Sequence, residues 1–450
     1  MKSFRITKNP FLLFAPFLLF YTVFILILYS APLWGDEIRH FAYAENLLRG
    51  FYSPVAPNVS LEVGPGYPIL IWLFLILHMP LIFLNLINGV FNYLAIVYLF
   101  KSLQQILSFK RALIFSLFLA CYSNSLEFMP LKYSESLTLF LVSMTLYYTM
   151  KAFSPDNLKK HKKYIYLAGF VIGYLALTKI IFGYVLILLL AGSGFLWLIK
   201  RKNNNYRKAV FILLVAFATT APYLAYTYHL TGKIFYWGTS GGNNLYWMST
   251  PYEGEYGSWY ATPRLVDSIP AEVRIRNAQG GQLNLKNRYS YLTGSDDSIK
   301  VNHKAAFEEL NKYHGVEKDD LYRKLAIINI KSHPAKYIKN CISNIGRILF
   351  NYPYTYAIQK PETLLRLPLN GIIIVCMLFC LVPTLLNWRK IIFPIRFILF
   401  FTLLYLGGSV FGSAETRMFT VIVPILLLWI AYIMQKSIQI KLKFDEDSDE

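Results

Sequence analysis

The sequence predicts an all-α polytopic membrane protein with about ten transmembrane helices. Three observations carry that prediction. Hydrophobic residues make up 55% of the 450 and charged residues only 16%, with a mean hydropathy of +0.40, a balance foreign to a soluble domain. Apolar runs such as Phe11–Tyr29, Leu81–Phe100 and Val185–Ile199 approach or reach the roughly 20 residues that cross a hydrocarbon core as a helix. Basic residues fall in short clusters between such runs, as the positive-inside rule requires, and the 17% aromatic content suits interfacial belts of Trp and Tyr.

The elements follow in order. Met1–Lys8 is basic, with Lys2, Arg5 and Lys8, and is expected in the cytoplasm. The apolar run after it resembles a signal peptide, but no small-x-small cleavage site follows, so an uncleaved signal-anchor over 10–30 is expected, kinked at Pro16. It delivers Gly35 to the outer face. Later basic clusters are expected inside: Lys101 with Lys110-Arg111, Lys151 with Lys159, Lys160, Lys162 and Lys163, Lys200-Arg201-Lys202 with Arg207-Lys208, Arg389-Lys390, and Lys436, Lys441 and Lys443. Between them fit paired spans at about 111–128 with 134–152, 163–178 with 180–199, and 391–411 with 418–435. Single crossings fit at about 81–100, 209–229 and 369–387. Both termini then lie inside. The apolar piece Tyr67–Leu77 is left over, because a crossing there would turn every later basic cluster outward. It is expected as an interfacial or half-inserted outer helix, entered through Gly64-Pro65-Gly66.

Four regions result: an N-terminal membrane module over 1–229 with its first outer loop at 31–80, an extracytoplasmic segment over 230–368, C-terminal membrane helices over 369–436, and a disordered acidic cytoplasmic tail over 437–450. The extracytoplasmic segment opens rich in glycine and aromatics, as in Ser240-Gly241-Gly242 and Trp259-Tyr260, then turns helical over Val301–Tyr313 and Asp319–Ile330, with Ser332-His333-Pro334 as a stop. Lys336–Phe350 is amphipathic and is expected on the membrane surface.

Several function classes fall away. The net charge of +20 does not mark a nucleic-acid binder, because the basic residues sit in inter-span loops rather than on one soluble patch. Cys376 and Cys380 are one helical turn apart in an apolar run and read as packing residues; nothing pairs Cys121 with Cys341. His40, His78, His229, His303 and His333 lack metal-ligand spacing. No metal and no cofactor is expected, with an assisting divalent cation left open.

Charged residues at the outer surface are few. Asp36 and Glu37 are adjacent, with Arg39 close behind. Their plain reading is a helix cap, since acids suit a helix N-terminus; their company favours chemistry. Glu135 is a second carboxylate at the outer start of another span, and Glu127 a weaker third. Lys179 interrupts two apolar runs at a tight outer connection, where a cation either snorkels or binds an anion. Arg417, beside Glu415, caps the last outer turn, and an ion pair between those two is the plain reading. Together these residues suit transfer from a phosphate leaving group, with a carboxylate taking a proton from an acceptor hydroxyl and cations stabilising the departing phosphate. Ser240-Gly241-Gly242 is either an anion-binding nest or a flexible turn.

Gly35-Asp36-Glu37, then Tyr43-Ala44, Leu47-Leu48, Gly50 and Tyr52, then Gly64-Pro65-Gly66-Tyr67-Pro68, resemble the first outer loop of the GT-C glycosyltransferases, in particular the protein O-mannosyltransferases and the lipid A aminoarabinose transferases. The resemblance implies that the acidic pair lies in the active site, and Arg39 matches an arginine of the aminoarabinose branch. Leu177-Thr178-Lys179 resembles a lipid-phosphate element, Glu135 an acidic residue opening the fourth span, and Glu415-x-Arg417 with Pro424 a C-terminal pattern. Where the aminoarabinose branch has a lysine after a first-loop glutamate, this chain has Glu62-Val63.

The function expected is that of an inverting membrane glycosyltransferase. It moves a sugar from a polyprenyl-phosphate donor to a hydroxyl of a glycan, lipid or protein acceptor, outside a bacterial-type inner membrane. Asp36 is expected as base, with Glu37 and Glu135 sharing its work, and Arg39, Lys179, Arg417 and Tyr67 binding substrate. The alternative is a lipid-linked oligosaccharide flippase or exporter without transferase activity.

Overall fold

The computed structural model describes residues 9–29, 33, 35–154, 161–259, 296–355 and 362–437. The basic N-terminus, Lys159, Lys160, the stretch 260–295, Lys441, Lys443 and the acidic tail lie outside the described residues.

Every regular element among the described residues is helical. The chain enters through α1 (Pro10–Leu13) and α2 (Ala15–Leu28). The break at Phe14 follows from Pro16 in the first turn of α2, whose missing N–H cannot continue the ladder. Two helices outside the span pattern come next, α3 (Asp36–Leu48) and α4 (Gly66–Ile76). Then follow α5 (Leu81–Leu103), α6 (Phe109–Ala120), α7 (Ser123–Phe128), α8 (Glu135–Phe153), α9 (His161–Thr178), α10 (Ile180–Ile199) and α11 (Asn204–Thr231). The segment after α11 contributes α12 (Gly241–Met248), α13 (Asp296–Asn302), α14 (Lys304–Leu310), α15 (Gly315–Ser332) and α16 (Pro334–Phe350). The chain closes with α17 (Glu362–Leu386), α18 (Phe393–Phe411), α19 (Thr416–Thr420) and α20 (Val423–Ser437).

This is an all-α polytopic membrane architecture. Each of the ten expected spans contains helix, and among the described residues five helices are long and apolar enough to cross on their own: Leu81–Leu103, Ile180–Ile199, Asn204–Thr231, Arg366–Leu386 and Phe393–Phe411. The rest are shorter or more polar. The expected span at 111–128 is broken after Ala120, where Tyr21 donates its hydroxyl to the freed Ala120 carbonyl at 2.7 Å. Helix α8 is diluted by Ser136, Thr138, Ser143, Thr145 and Thr149, all buried. These polar residues face protein, and Asn92 of α5 donates to Ser136 Oγ at 2.9 Å, a side-chain bond that ties helices together where hydrophobicity cannot.

Small residues set the closest helix contact. A Cβ on Gly169 or Gly173 of α9 would come within 2.6 Å of the Ile212 or Ala216 carbonyl of α11, so the four-residue glycine spacing lets the two backbones touch. The expected helix Val301–Tyr313 is split at His303, and the stop at Ser332-His333-Pro334 separates α15 from α16 with Pro334 at the first position of the new helix.

The loop between α2 and α5 is folded on its own polar groups and on the segment after α11. Tyr43 Oη accepts from the Glu62 amide at 2.9 Å, and Tyr52 donates to the Val63 carbonyl at 2.8 Å. Leu61 and Thr239 pair twice: the Thr239 amide donates to the Leu61 carbonyl and the Leu61 amide donates to Thr239 Oγ1, each at 3.0 Å. Gly238 allows this approach, since a Cβ there would lie 2.4 Å from the Leu61 carbonyl oxygen. Tyr67 through Ile76 forms the expected short helix, packed against α3 and α9.

Candidate active site

The site forms where α3, the α9–α10 junction, the start of α8 and the α18–α19 turn meet. Asp36 and Glu37 occupy the first turn of α3, preceded by Gly35 at φ 54°, a backbone region that favours glycine. A Cβ on Gly35 would also meet the Tyr133 hydroxyl at 3.0 Å.

The two acids then part. Asp36 turns to the cations: its carboxylate pairs with Arg417 in a short charge-assisted hydrogen bond and with Arg39 NH1 at 3.3 Å. Glu37 turns inward, 1% exposed, and accepts the Lys132 backbone amide on Oε1 at 2.7 Å. Burial raises the Asp36 carboxyl, but the Arg417 and Arg39 guanidinium groups outweigh it and hold the group far below the usual carboxylate range.

Lys179 ends α9 and caps α10 in an extended conformation. This kink is fixed from the first loop. A Cβ on Gly64 would collide with the Leu177 carbonyl oxygen at 2.1 Å, and one on Gly66 with Thr178 Oγ1 at 2.5 Å. Tyr174 donates to the Gly66 carbonyl at 2.8 Å. The Gly64-Pro65-Gly66 turn and the Leu177-Thr178-Lys179 turn are therefore two halves of one contact. It aims Lys179 Nζ at Glu135 Oε1, 2.6 Å away.

Arg417 joins the halves, reaching Asp36, Glu135 at 3.6 Å and Glu415 at 3.2 Å. Arg39 extends the network to Glu62 at 3.3 Å and lies over the Trp259 ring, 5.1 Å from its centroid. Five predicted site residues, Asp36, Arg39, Glu135, Lys179 and Arg417, thus form one ionic network. Tyr67 is buried beneath it and meets His40 edge-on at 5.0 Å.

Glu135 Oε2, His40 Nδ1 and Tyr67 Oη are among the buried polar atoms at this site that lack a hydrogen-bond partner. Buried polar groups are nearly always paired, so they mark a place where a ligand's donors and acceptors fit. Burial pushes the His40 imidazole down to about 4, leaving it neutral at pH 7.

Two secondary candidates stand outside the network. Glu127 does not join the network; it pairs with Arg366, which also reaches Thr416. Ser240-Gly241-Gly242 is not an open anion nest, because the Gly242 amide donates to Asp319 Oδ1 at 2.7 Å and the chain's own carboxylate fills it. Sequence reasoning missed Trp259, Tyr133, His40 and the pairing role of Glu62. Of these only His40 carries a local signal, its place one helical turn after Asp36.

The Arg417 turn has its own support. Asn344 of α16 accepts the Ala414 amide at 3.1 Å and donates to the Ser409, Val410 and Gly412 carbonyls at 2.9, 3.0 and 2.6 Å. Thr416 donates to the Arg347 carbonyl at 3.0 Å.

No family model matches the chain, and no curated protein matches it. Solved structures do. The oligosaccharyltransferase of Archaeoglobus fulgidus tethered with an acceptor peptide is 14% identical, covers 94% of this chain and 49% of its own, and has a TM-score of 0.47. The archaeal oligosaccharyltransferase AglB in complex with an inhibitory peptide and a dolichol-phosphate is 13% identical, with 94% and 50% covered and a TM-score of 0.46. ArnT from Cupriavidus metallidurans bound to undecaprenyl phosphate is 12% identical, with 94% and 77% covered and a TM-score of 0.42. The chain spans about half the length of the oligosaccharyltransferases it resembles.

Proposed function

We propose that the chain is a membrane glycosyltransferase that moves a sugar, with inversion, from a polyprenyl-phosphate donor to a hydroxyl of a glycan, lipid or protein acceptor. The observation that carries this reading is the single network in which Lys179, Arg39 and Arg417 converge on Asp36 and Glu135 from four separate parts of the chain. The site lies on the outer side of the membrane and both termini inside, a topology that rests on the distribution of basic clusters.

In this reading the donor phosphate competes with the carboxylates for Lys179, Arg417 and Arg39. Transfer of these cations to the phosphate frees Asp36, whose basicity then rises toward that of an ordinary carboxylate. The acceptor hydroxyl gives its proton to Asp36 as its oxygen bonds to the anomeric carbon, and the bond from that carbon to the phosphate oxygen breaks. The cations hold the charge left on the phosphate. Glu135 orients the acceptor through its unpartnered oxygen, and Glu37, anchored on the Lys132 amide, fixes the first turn of α3 from which Asp36 projects.

The test is transfer in proteoliposomes supplied with a synthetic polyprenyl-phosphate sugar. Release of polyprenyl phosphate is expected from the native chain, and Asp36→Asn is expected to lower it roughly 10²–10⁴-fold, the usual range for a general base. Full activity in Asp36→Asn removes Asp36 as base. Movement of the lipid across the bilayer without any sugar transfer replaces this reading with that of an exporter.

A further inference from the structure

Helix α16, Pro334–Phe350, is built inside out. Asn340, Asn344 and Arg347 lie on one side of it and are fully buried, at 1%, 0% and 0% exposure. Ile338, Ile342 and Ile345 lie on the opposite side and are 59%, 64% and 43% exposed. At 100° per residue the three isoleucines share an arc of about 60°, with the buried polar trio facing the other way.

The buried polar face holds backbone carbonyls of the neighbouring segments. Asn340 donates to the Met248 and Thr250 carbonyls, both at 3.0 Å. Asn344 satisfies carbonyls at the end of α18, and Arg347 reaches the Tyr256 and Pro353 carbonyls at 2.5 and 3.2 Å. Rotating the helix to hide the isoleucines would therefore strand three polar side chains. A water-facing helix buries its apolar stripe and exposes its polar one, so this arrangement is stable only beside an apolar solvent.

The surroundings identify that solvent. Helix α16 packs against α17 and α18, two of the helices able to cross a membrane. Tyr337 donates to the Phe411 carbonyl at 2.8 Å, which places α16 at the end of α18. The flank of α18 is apolar and open as well, with Phe400, Leu403 and Phe411 exposed by 49%, 65% and 61%. The isoleucine stripe is continuous with a lipid-facing surface, and Lys331 and Lys339 stand exposed beside it, placed to reach headgroup phosphates.

We propose that Pro334–Phe350 is an in-plane membrane helix whose Ile338-Ile342-Ile345 face is covered by lipid acyl chains. Its polar face grips the α18–α19 turn that carries Arg417, so the bilayer itself sets the depth of that arginine. This holds for any reaction carried out at the site.

The native chain is reconstituted in phosphatidylcholine–phosphatidylglycerol vesicles containing a phospholipid with a photoactivatable acyl chain, and labelled peptides are mapped by mass spectrometry. Labelling of Ile338, Ile342 and Ile345 at the level of Phe400 and Leu403 is expected. Labelling of the spans with none on the helix overturns the proposal. A nitroxide at Ile342→Cys, with the four native cysteines replaced by serine, distinguishes the alternatives. High access to oxygen with low access to a nickel chelate is expected. High access to the nickel chelate means water, and access to neither means a protein partner or a second copy; either result also overturns it.

Discussion

Lys179 offers the sharpest separation of an anion-binding role from a structural one. Its ammonium lies 2.6 Å from Glu135 Oε1 and is 24% exposed, while the Glu135 side chain is only 3% exposed. Lys179→Met leaves that carboxylate buried with Arg417 at 3.6 Å as its remaining cation. Breaking a fully buried pair costs about 3–5 kcal/mol. The remaining Arg417 contact and the partial exposure of Lys179 reduce this to about 1–2 kcal/mol. Thermal unfolding of the purified chain in detergent is expected to show a lower Tm for Lys179→Met. Adding Glu135→Gln removes the stranded charge and is expected to recover most of the loss, which a double-mutant cycle reads as coupling. Under the proposed function sugar transfer behaves otherwise: both the single and the double variant are expected to lose it, because Lys179 is there a ligand of the donor phosphate. If the double variant regains transfer together with stability, Lys179 serves only to neutralise Glu135. An unchanged Tm in Lys179→Met refutes the buried-pair argument itself.

Other outcomes follow from the same geometry. Gly66→Ala drives a Cβ to 2.5 Å from Thr178 Oγ1 and should cost about 1–3 kcal/mol by overpacking, measured as a fall in Tm. Gly192→Ala, on a helix position with open space around it, should leave stability unchanged or raise it by under about 1 kcal/mol. In the segment after α11, Glu255 accepts from His303 Nε2 at 2.9 Å and His303 Nδ1 meets the Tyr246 hydroxyl at 2.6 Å, all three buried. Burial raises the Glu255 carboxyl, but the hydrogen bond and charge of His303, with Thr250 and Asn302, lower it below its ordinary value. Its contribution to stability is therefore complete above the unfolded glutamate pKa near 4.3 and is lost as pH falls through the lower folded value. Glu255→Gln is expected to flatten the acid limb of a Tm-against-pH curve; an unchanged limb would remove Glu255 as its source.

The helices could be read from the sequence because their causes are local. Long apolar runs demand internally satisfied backbone in lipid, prolines at 16 and 334 mark a kink and a stop, and the acids at 36 and 37 suit a helix start. The residue types of the site were legible for a related reason: a charge beside an apolar run is costly and therefore rare. Which charges meet was not. Asp36 and Arg417 stand 381 residues apart, and no periodicity links them; the packing of α3 against the α18–α19 turn brings them together. The adjacent acids Asp36 and Glu37 are indistinguishable as letters, yet one helical step of 100° turns one toward two guanidinium groups and the other toward a backbone amide. In the same way Glu127 and Asp319 were plausible or unnoticed as isolated residues and became an Arg366 partner and the occupant of a glycine turn once the helices were placed. Sequence alone determined that this chain lives in a bilayer and carries a few costly charges at one surface. Only tertiary structure decided which of them share a site, because ion pairing depends on distance in space, and distance between remote segments is set by how helices pack.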